Sequence, residues 1–267
     1  MYKLSIIGQF PPPIHGLSKA IQTLWNSSLN QEYKFERINL THNKNFGINI
    51  WRILISKSNL YYFTISQTIG GNWRDLIILL ILSLKRGKIL IHLHGGYYRK
   101  LIDNDCSKLQ RKLNYLLINN VDGCIVLSES LKKIFREMID EDRIYTVANG
   151  VDDEYLLSQN AVSEKLSNID DGYHLNILYL SNFIKTKGYR EVLDLALKAK
   201  LNGISRIKFH FAGKFYKYED EVYFKNFVLE HDLSDFVEYY GVVSGVSKCM
   251  LLEKCNVFIL LTNYPNE

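Results

Sequence analysis

The chain has 267 residues, 47% hydrophobic and 23% charged, with 16 glycines and four prolines; that excludes a disordered, collagen-like or low-complexity chain and provides apolar material for a core. The four cysteines, Cys106, Cys124, Cys249 and Cys255, show no C-x-x-C spacing, which argues against a zinc finger or disulfide scaffold and for a reducing compartment. The net charge is +5, and Lys85–Lys112 alone carries eight basic residues against Asp103 and Asp105. Such a local patch suits phosphates or an anionic membrane surface better than nucleic acid, although solvated helix faces read the same way.

The N-terminal MYKLSIIGQF lacks the build of a signal peptide, because its short apolar stretch runs into a proline-rich loop. Next come a strand at Tyr2–Gly8, a helix over about Leu17–Leu29, and strands at Lys34–Leu40 and Leu60–Thr64. Asp75–Leu84 reads as a buried helix; the apolar run Leu76–Leu84 within it is far short of the ~18–20 residues of a membrane span. A cytoplasmic protein is expected. A buried strand at Lys88–His94, a helix at Leu109–Ile118, a strand at Gly123–Leu127, a helix at Glu129–Met138 and a strand at Arg143–Val147 continue the alternation. Strands alternating with helices at this spacing argue for βαβ units and a parallel sheet. From Val151 to Gly172 the periodicity lapses, as in an interdomain connection. The alternation restarts with Leu175–Leu180, helix Lys187–Lys200, Ile207–Ala212, helix Glu219–His231, Phe236–Tyr240, helix Ser247–Lys254 and Val257–Leu261. A doubly wound domain continues beyond such a strand, so the second domain is expected to be incomplete. The expected division is residues 1–160 and 161–267.

Four segments follow strands, where α/β folds bind ligands. Gly8–Gly16 (GQFPPPIHG) joins the first strand to the first helix; its glycines permit close backbone approach, and the helix start at Gly16 aims N–H groups at anions. It is not G-x-G-x-x-G, so the dinucleotide fingerprint is absent. In His92-Leu93-His94-Gly95-Gly96 the two histidines share one strand face, with His94 at the carboxyl end. H-x-H resembles a metal pair but has no evident third ligand; His92 reads as structural and His94 as functional. Ser181–Gly188 (SNFIKTKG) sets Lys187 at a helix start, where its charge adds to the helix dipole and suits a diphosphate; by itself it also reads as an ordinary surface lysine. Asn263–Glu267 places a carboxylate past the last strand. Asp103-Asn104-Asp105 and Asp140-Glu141-Asp142 fit D-x-D, but neither follows an apolar strand, and both read as surface charge.

The order GQFPPPIHG, HLHGG, VLSESLKK, ANGVD, YLSNFIKTKG, FHFAGKF, YYGVVSG and FILLTNYPNE resembles the GT-B glycosyltransferases of the family 4 type, particularly bacterial members that build O-antigen and other surface polysaccharides. The resemblance implies an α/β fold of two Rossmann-like domains: an N-terminal acceptor-side domain and a C-terminal domain that binds a nucleotide-diphospho-sugar. It implies transfer with retention of configuration, no required metal or other cofactor, a saccharide or lipid-linked acceptor, and a place in the cytoplasm or at the inner membrane face. By this likeness Gly16 lies near the donor phosphates, His94 beside the reacting sugar, and Lys187 on the leaving diphosphate. Gly213 and Val243 border the base and ribose, and His15 and Arg99 lie on the acceptor side. Asn182 stands where the family commonly has arginine, which removes one phosphate cation. Glu267 matches the first glutamate of the family's E-x7-E and would contact the donor sugar, while the second lies past the last residue. The chain of 267 residues is therefore expected to be impaired in transfer, and a binding-only remnant or partner subunit is the alternative. A sugar-nucleotide 2-epimerase, which shares the two-domain fold, is a further one.

Overall fold

The computed structural model describes residues 1–170 and 174–263, apart from the side chains at positions 43 and 168–170. The chain divides after Gly150 into two compact units, a division earlier than the expected 160.

In the first unit the elements are β1 (Tyr2–Gly8), α1 (Gly16–Trp25), α2 (Leu29–Glu32), β2 (Tyr33–Asn39), α3 (Phe46–Ile55), β3 (Leu60–Ile65), α4 (Ile69–Ser83), β4 (Lys88–Leu93), α5 (Tyr98–Lys100), α6 (Lys108–Asn119), β5 (Gly123–Val126) and β6 (Ile144–Thr146). The six strands form one parallel sheet in the order β2-β1-β3-β4-β5-β6. Side-chain alternation sorts its two faces. Tyr61, Phe63 and Ile65 of β3 join Ile89, Ile91 and Leu93 of β4 in a core with Ile53 of α3, Leu79 of α4 and Leu117 of α6. The intervening Tyr62 joins Leu4, Ile6 and Ile21 of α1 on the opposite face.

The second unit contains α7 (Gln159–Asp170), β7 (Leu175–Leu180), α8 (Tyr189–Leu201), β8 (Ile207–Ala212), α9 (Tyr218–Glu230), β9 (Val237–Tyr239), α10 (Gly245–Lys254) and β10 (Val257–Phe258). Its four strands are parallel, in the order β10-β7-β8-β9. Phe183, fully buried just past β7, is central to this core. Its ring meets Tyr179, Tyr189, Phe211, Phe215, Phe224 and Tyr239 at centroid separations of 4.3–6.2 Å.

Several expectations need correction. The sequence reading has no helix at α3. The expected helix Glu129–Met138 is a 3₁₀ segment ending at Phe135. The stretch read as a plain connection carries α7. The helix expected from Lys187 begins at Tyr189; Lys187 ends a 3₁₀ turn and is followed by Gly188 at φ 79°. The expected strand Val257–Leu261 pairs only at Val257–Phe258. Finally, α4 is not buried all round: Ile77, Leu80 and Leu84 are exposed.

Truncating Phe183 removes a ring shared among six others. Phe183→Ala is expected to destabilise the second unit by about 3–5 kcal/mol, read from urea unfolding.

Candidate functional site

Parallel pairing brings the carboxyl ends of β1, β2, β3 and β4 to one edge of the first sheet. The residues just past them line two adjoining pockets of ≈ 130 and ≈ 610 Å³, which share Gln9, Leu40, Ser66 and Arg74. His94 lines the smaller, and Gly70 and Gly71 of the first turn of α4 line the larger.

His94 follows β4 and stacks on His92, with ring centroids 3.8 Å apart. His92 is fixed in turn by a 2.6 Å hydrogen bond between its Nδ1 and the Tyr62 hydroxyl. Burial pulls the His94 pKa down to about 4; burial and then the neighbouring His94 pull His92 to about 3. Both imidazoles are therefore neutral at pH 7. The Nε2 atoms of both are buried and have no hydrogen-bond partner among the described residues. The turn beyond His94 is held by Gln67. Its Nε2 donates to the His94 carbonyl (2.9 Å), and its Oε1 accepts from the Tyr97 N–H (2.7 Å). Gly95 sits at φ 139°, and a Cβ there would lie 2.3 Å from the Gln67 amide nitrogen, so the clamp needs glycine at this position.

Arg74 and Asp75 form the other polar element. The guanidinium donates to Asp75 Oδ1 at 2.8 and 2.9 Å, and the Ser66 N–H donates to Oδ2 at 2.5 Å. Burial raises the Asp75 pKa to about 6 against the opposing pull of Arg74. Sequence reasoning missed Gln67 and Arg74. The available signal was position: Gln67 follows the apolar β3 at the same edge as His94.

The first loop joins β1 to α1, which begins at Gly16, and Gly8 lines the smaller pocket. Gly8 is glycine for packing, since a Cβ would lie 2.5 Å from Ile21 and from Thr64. His15 caps α1: its Nδ1 accepts from the Ser18 N–H at 3.4 Å, and its own N–H donates to Ser18 Oγ at 2.9 Å. Gly16 is exposed, with open space where a Cβ would stand. Neither residue lines the pocket beside His94, although Leu17 does. Arg99 is engaged locally. It donates to Asp103 and to the Arg136 carbonyl, both at 2.6 Å, and lies 3.6 Å from Glu137. The same pairing occupies Asp103 of the first D-x-D, while Asp140 of the second pairs with Arg143 at 2.8 Å.

In the second unit the carboxyl edge gathers three of the expected residues. Gly213, after β8 at φ 148°, lies against the backbone of Ser181 and Asn182 after β7; a Cβ would fall 1.9 Å from the Ser181 carbonyl oxygen. Asn182 is exposed, and its Oδ1 accepts weakly from the Lys214 N–H at 3.4 Å. The turn with Lys187 is tied to the chain past β10: the Asn263 N–H donates to the Thr186 carbonyl at 2.9 Å, and the Thr262 hydroxyl at 3.2 Å. Burial lowers the Lys187 pKa. The neighbouring Thr186 hydroxyl is buried with no hydrogen-bond partner among the described residues. Val243 packs its side chain against the cluster of Leu178, Ala212, Leu251 and Cys255. Glu267 lies outside the described residues.

Residues 31–155 match the family model described as Glycosyltransferase Family 4. No curated protein matches the chain in sequence. Among solved structures, Anabaena HepE in complex with UDP shares 14% identity and superposes with a TM-score of 0.61, over 100% of this chain and 75% of that one. A glycosyltransferase from Rickettsia africae ESF-5 gives 15% identity and a TM-score of 0.62, over 99% of this chain and 74% of that one. UDP-GlcNAc 2-epimerase from Methanocaldococcus jannaschii gives 19% identity and a TM-score of 0.52, over 93% and 76%. The chain thus has the GT-B fold, with two parallel-sheet Rossmann-like units. Over residues 31–155 the chain is similar to the family 4 glycosyltransferases.

Buried His92 and half-buried His94 make stability depend on pH. Unfolded histidine titrates near 6.5, whereas His92 and His94 hold out to about 3 and about 4. The unfolded state therefore binds more protons as pH falls below 6.5, and their contribution, complete above that, is lost on the way to the folded values. Each histidine adds a slope of up to about 1.4 kcal/mol per pH unit. Unfolding midpoints measured from pH 7 to pH 5 are expected to fall, and His92→Asn is expected to flatten that dependence by one histidine's share.

Proposed function

We propose that the chain is a retaining glycosyltransferase that moves a sugar from a nucleotide-diphospho-sugar to a lipid-linked saccharide acceptor in the synthesis of a surface polysaccharide. The observation that carries this reading is His94, a neutral, half-buried imidazole whose Nε2 is buried and unpartnered among the described residues, at a pocket on the carboxyl edge of a parallel sheet. Such a group hydrogen-bonds a sugar hydroxyl without bringing a charge. The transfer reaction accumulates negative charge on the leaving diphosphate, and a fixed cation lowers that barrier. Lys187 takes this role, with the Thr186 hydroxyl and the Asn182 amide as hydrogen-bond donors. No metal is assigned to the reaction; Lys187 and the α8 start supply the positive potential. On this reading the backbone at Gly213 and Val243 serves the nucleoside, and Gly16 and Glu267 are the candidates for the donor phosphates and the donor sugar. His15 and Arg99 lie toward the acceptor, Arg99 through the segment it holds in place.

The test is an assay of nucleoside diphosphate release against a panel of sugar nucleotides, with product analysis. A glycosylated acceptor with retained anomeric configuration supports the reading. An isomerised sugar nucleotide without transfer marks an epimerase, and neither product marks a binding protein.

Lys187→Ala is expected to lower kcat by roughly 10²–10³-fold with an unchanged far-ultraviolet circular dichroism spectrum. Near-normal turnover removes Lys187 from this role. His94→Ala is expected to reduce turnover far more than the unfolding midpoint; a variant that unfolds early but turns over normally when folded makes His94 structural.

A further inference from the structure

Among the described residues that line the two adjoining pockets of the first sheet, Arg74 is the one ionised side chain. His94 is neutral at pH 7, and the remaining lining residues carry no charge. Arg74 lines both pockets, with its side chain 15% exposed. The chain around it is free of carboxylates. No Asp or Glu precedes Glu32, none lies between Glu36 and Asp75, and none between Asp75 and Asp103. The segments that leave β1, β2, β3 and β4 at this edge therefore carry no negative charge, and the local field is positive.

Asp75 aims the arginine rather than competing for the pocket. Its carboxylate is 2% exposed and lines neither cavity. Both of its oxygens are taken, Oδ1 by Nε and Nη2 of Arg74 and Oδ2 by the Ser66 N–H. Of the five N–H groups of the guanidinium, this uses two on one edge and leaves three for a ligand.

Two hydroxyls stand in the same cavity. Ser66 and Thr68 both line the larger pocket, with their oxygens 3.2 Å apart. Thr68 Oγ1 accepts from the Gly71 N–H at 3.2 Å, and Ser66 Oγ from the Thr68 N–H at 3.4 Å, so both O–H groups are left to donate. Gly71 is required for this arrangement, since a Cβ there would lie 2.1 Å from Ser66 Oγ. At Gly70 the space of a Cβ is open, which keeps the pocket wide. A fixed guanidinium edge beside two hydroxyls offers more donors than the two oxygens of a carboxylate use. The three terminal oxygens and higher charge of a phosphate ester match it.

We infer that Arg74 holds the phosphate ester of a phosphorylated sugar in the larger pocket, while the sugar itself reaches the smaller pocket at His94. The two pockets share Gln9, Leu40, Ser66 and Arg74, so the phosphate is borne by the sugar at His94 and not by one several units away. Such a substrate is supplied by a reaction that leaves a single sugar on a phosphate or diphosphate, the chemistry of a sugar-phosphate transferase. Calling that sugar the acceptor rests on the transferase reading above; the phosphate site is measured by binding, without sugar nucleotide.

The experiment is isothermal titration of the full chain with glucose 1-phosphate and N-acetylglucosamine 1-phosphate. Glucose, N-acetylglucosamine and glucuronate are the comparison ligands, and each titration is repeated with saturating UDP. A sugar phosphate is expected to bind roughly tenfold or more tightly than its parent sugar and than glucuronate, and UDP is expected not to displace it. Arg74→Gln with Asp75→Asn removes both charges, so no buried carboxylate is left unpaired. It is expected to weaken the sugar phosphate roughly 10–100-fold, to leave the parent sugar unchanged and to keep the circular dichroism spectrum. Ser66→Ala, which leaves the ion pair intact, is expected to weaken it roughly fivefold and reads the same site if the double variant does not fold. Equal binding of sugar and sugar phosphate, tighter binding of glucuronate, displacement by UDP, or unchanged affinity in the variants overturns the proposal. Binding that the variants lose, with no transfer to any acceptor in the nucleoside diphosphate assay, removes the transferase reading and leaves the phosphate site standing.

Discussion

The candidate site depends first on the parallel pairing of the strands. Register sets Ile65 opposite Leu93 and Thr64 opposite His92, so the residues that follow β3 and β4 leave the sheet at the same level. A parallel sheet sends every strand out at the same edge and returns the chain through a helix. Gln67 and His94 meet for that reason alone, since nothing local in sequence links them. The same constraint repeats in the second unit, where Leu180 pairs with Ala212 and places Asn182 beside Gly213.

Within that frame, the second unit depends on an aromatic anchor. Phe183 lies in the turn that carries Asn182 and Lys187, and its ring is the one in the segment that enters the core. Its main chain is bound as well, the N–H donating to the Lys214 carbonyl at 2.9 Å. A turn of short polar residues needs such a fixed point, because ordering each residue costs about 1–2 kcal/mol of backbone entropy. The polar side chains are thereby presented from a rigid base. Preorganised donors stabilise developing charge best from such a base.

The strands were legible in the sequence because parallel strands are continuous apolar runs; Leu175–Leu180 and Ile207–Ala212 coincide with the observed strands at both ends. His94 and Lys187 stood out by position past those runs. The helix α3 was not legible. Its sequence FGINIWRILI shows no side-chain cap, and its apolar residues fall on both sides, so no single helical stripe separates them. For the same reason α4 read as buried: counting apolar residues does not tell which side of a helix has a neighbour. Gln67, Arg74 and Asp75 were missed because their significance lies in tertiary contacts, a clamp across two loops and a buried ion pair, and neither leaves a motif. His15 was read for its imidazole and serves as a cap, a role in which histidine is uncommon.

The Gln67 clamp has a mechanical consequence. Gln67 precedes Thr68, whose hydroxyl caps α4 by accepting the Gly71 N–H at 3.2 Å, and its amide holds both ends of the turn from His94 to Tyr97. Two hydrogen bonds from one side chain work as a rigid strut, with α4 at one end and the His94 turn at the other. A slide of α4 along its axis therefore pulls on that turn directly rather than being absorbed in a slack loop. The start of α4 and the position of the imidazole at the edge of the sheet are thus tied through one glutamine.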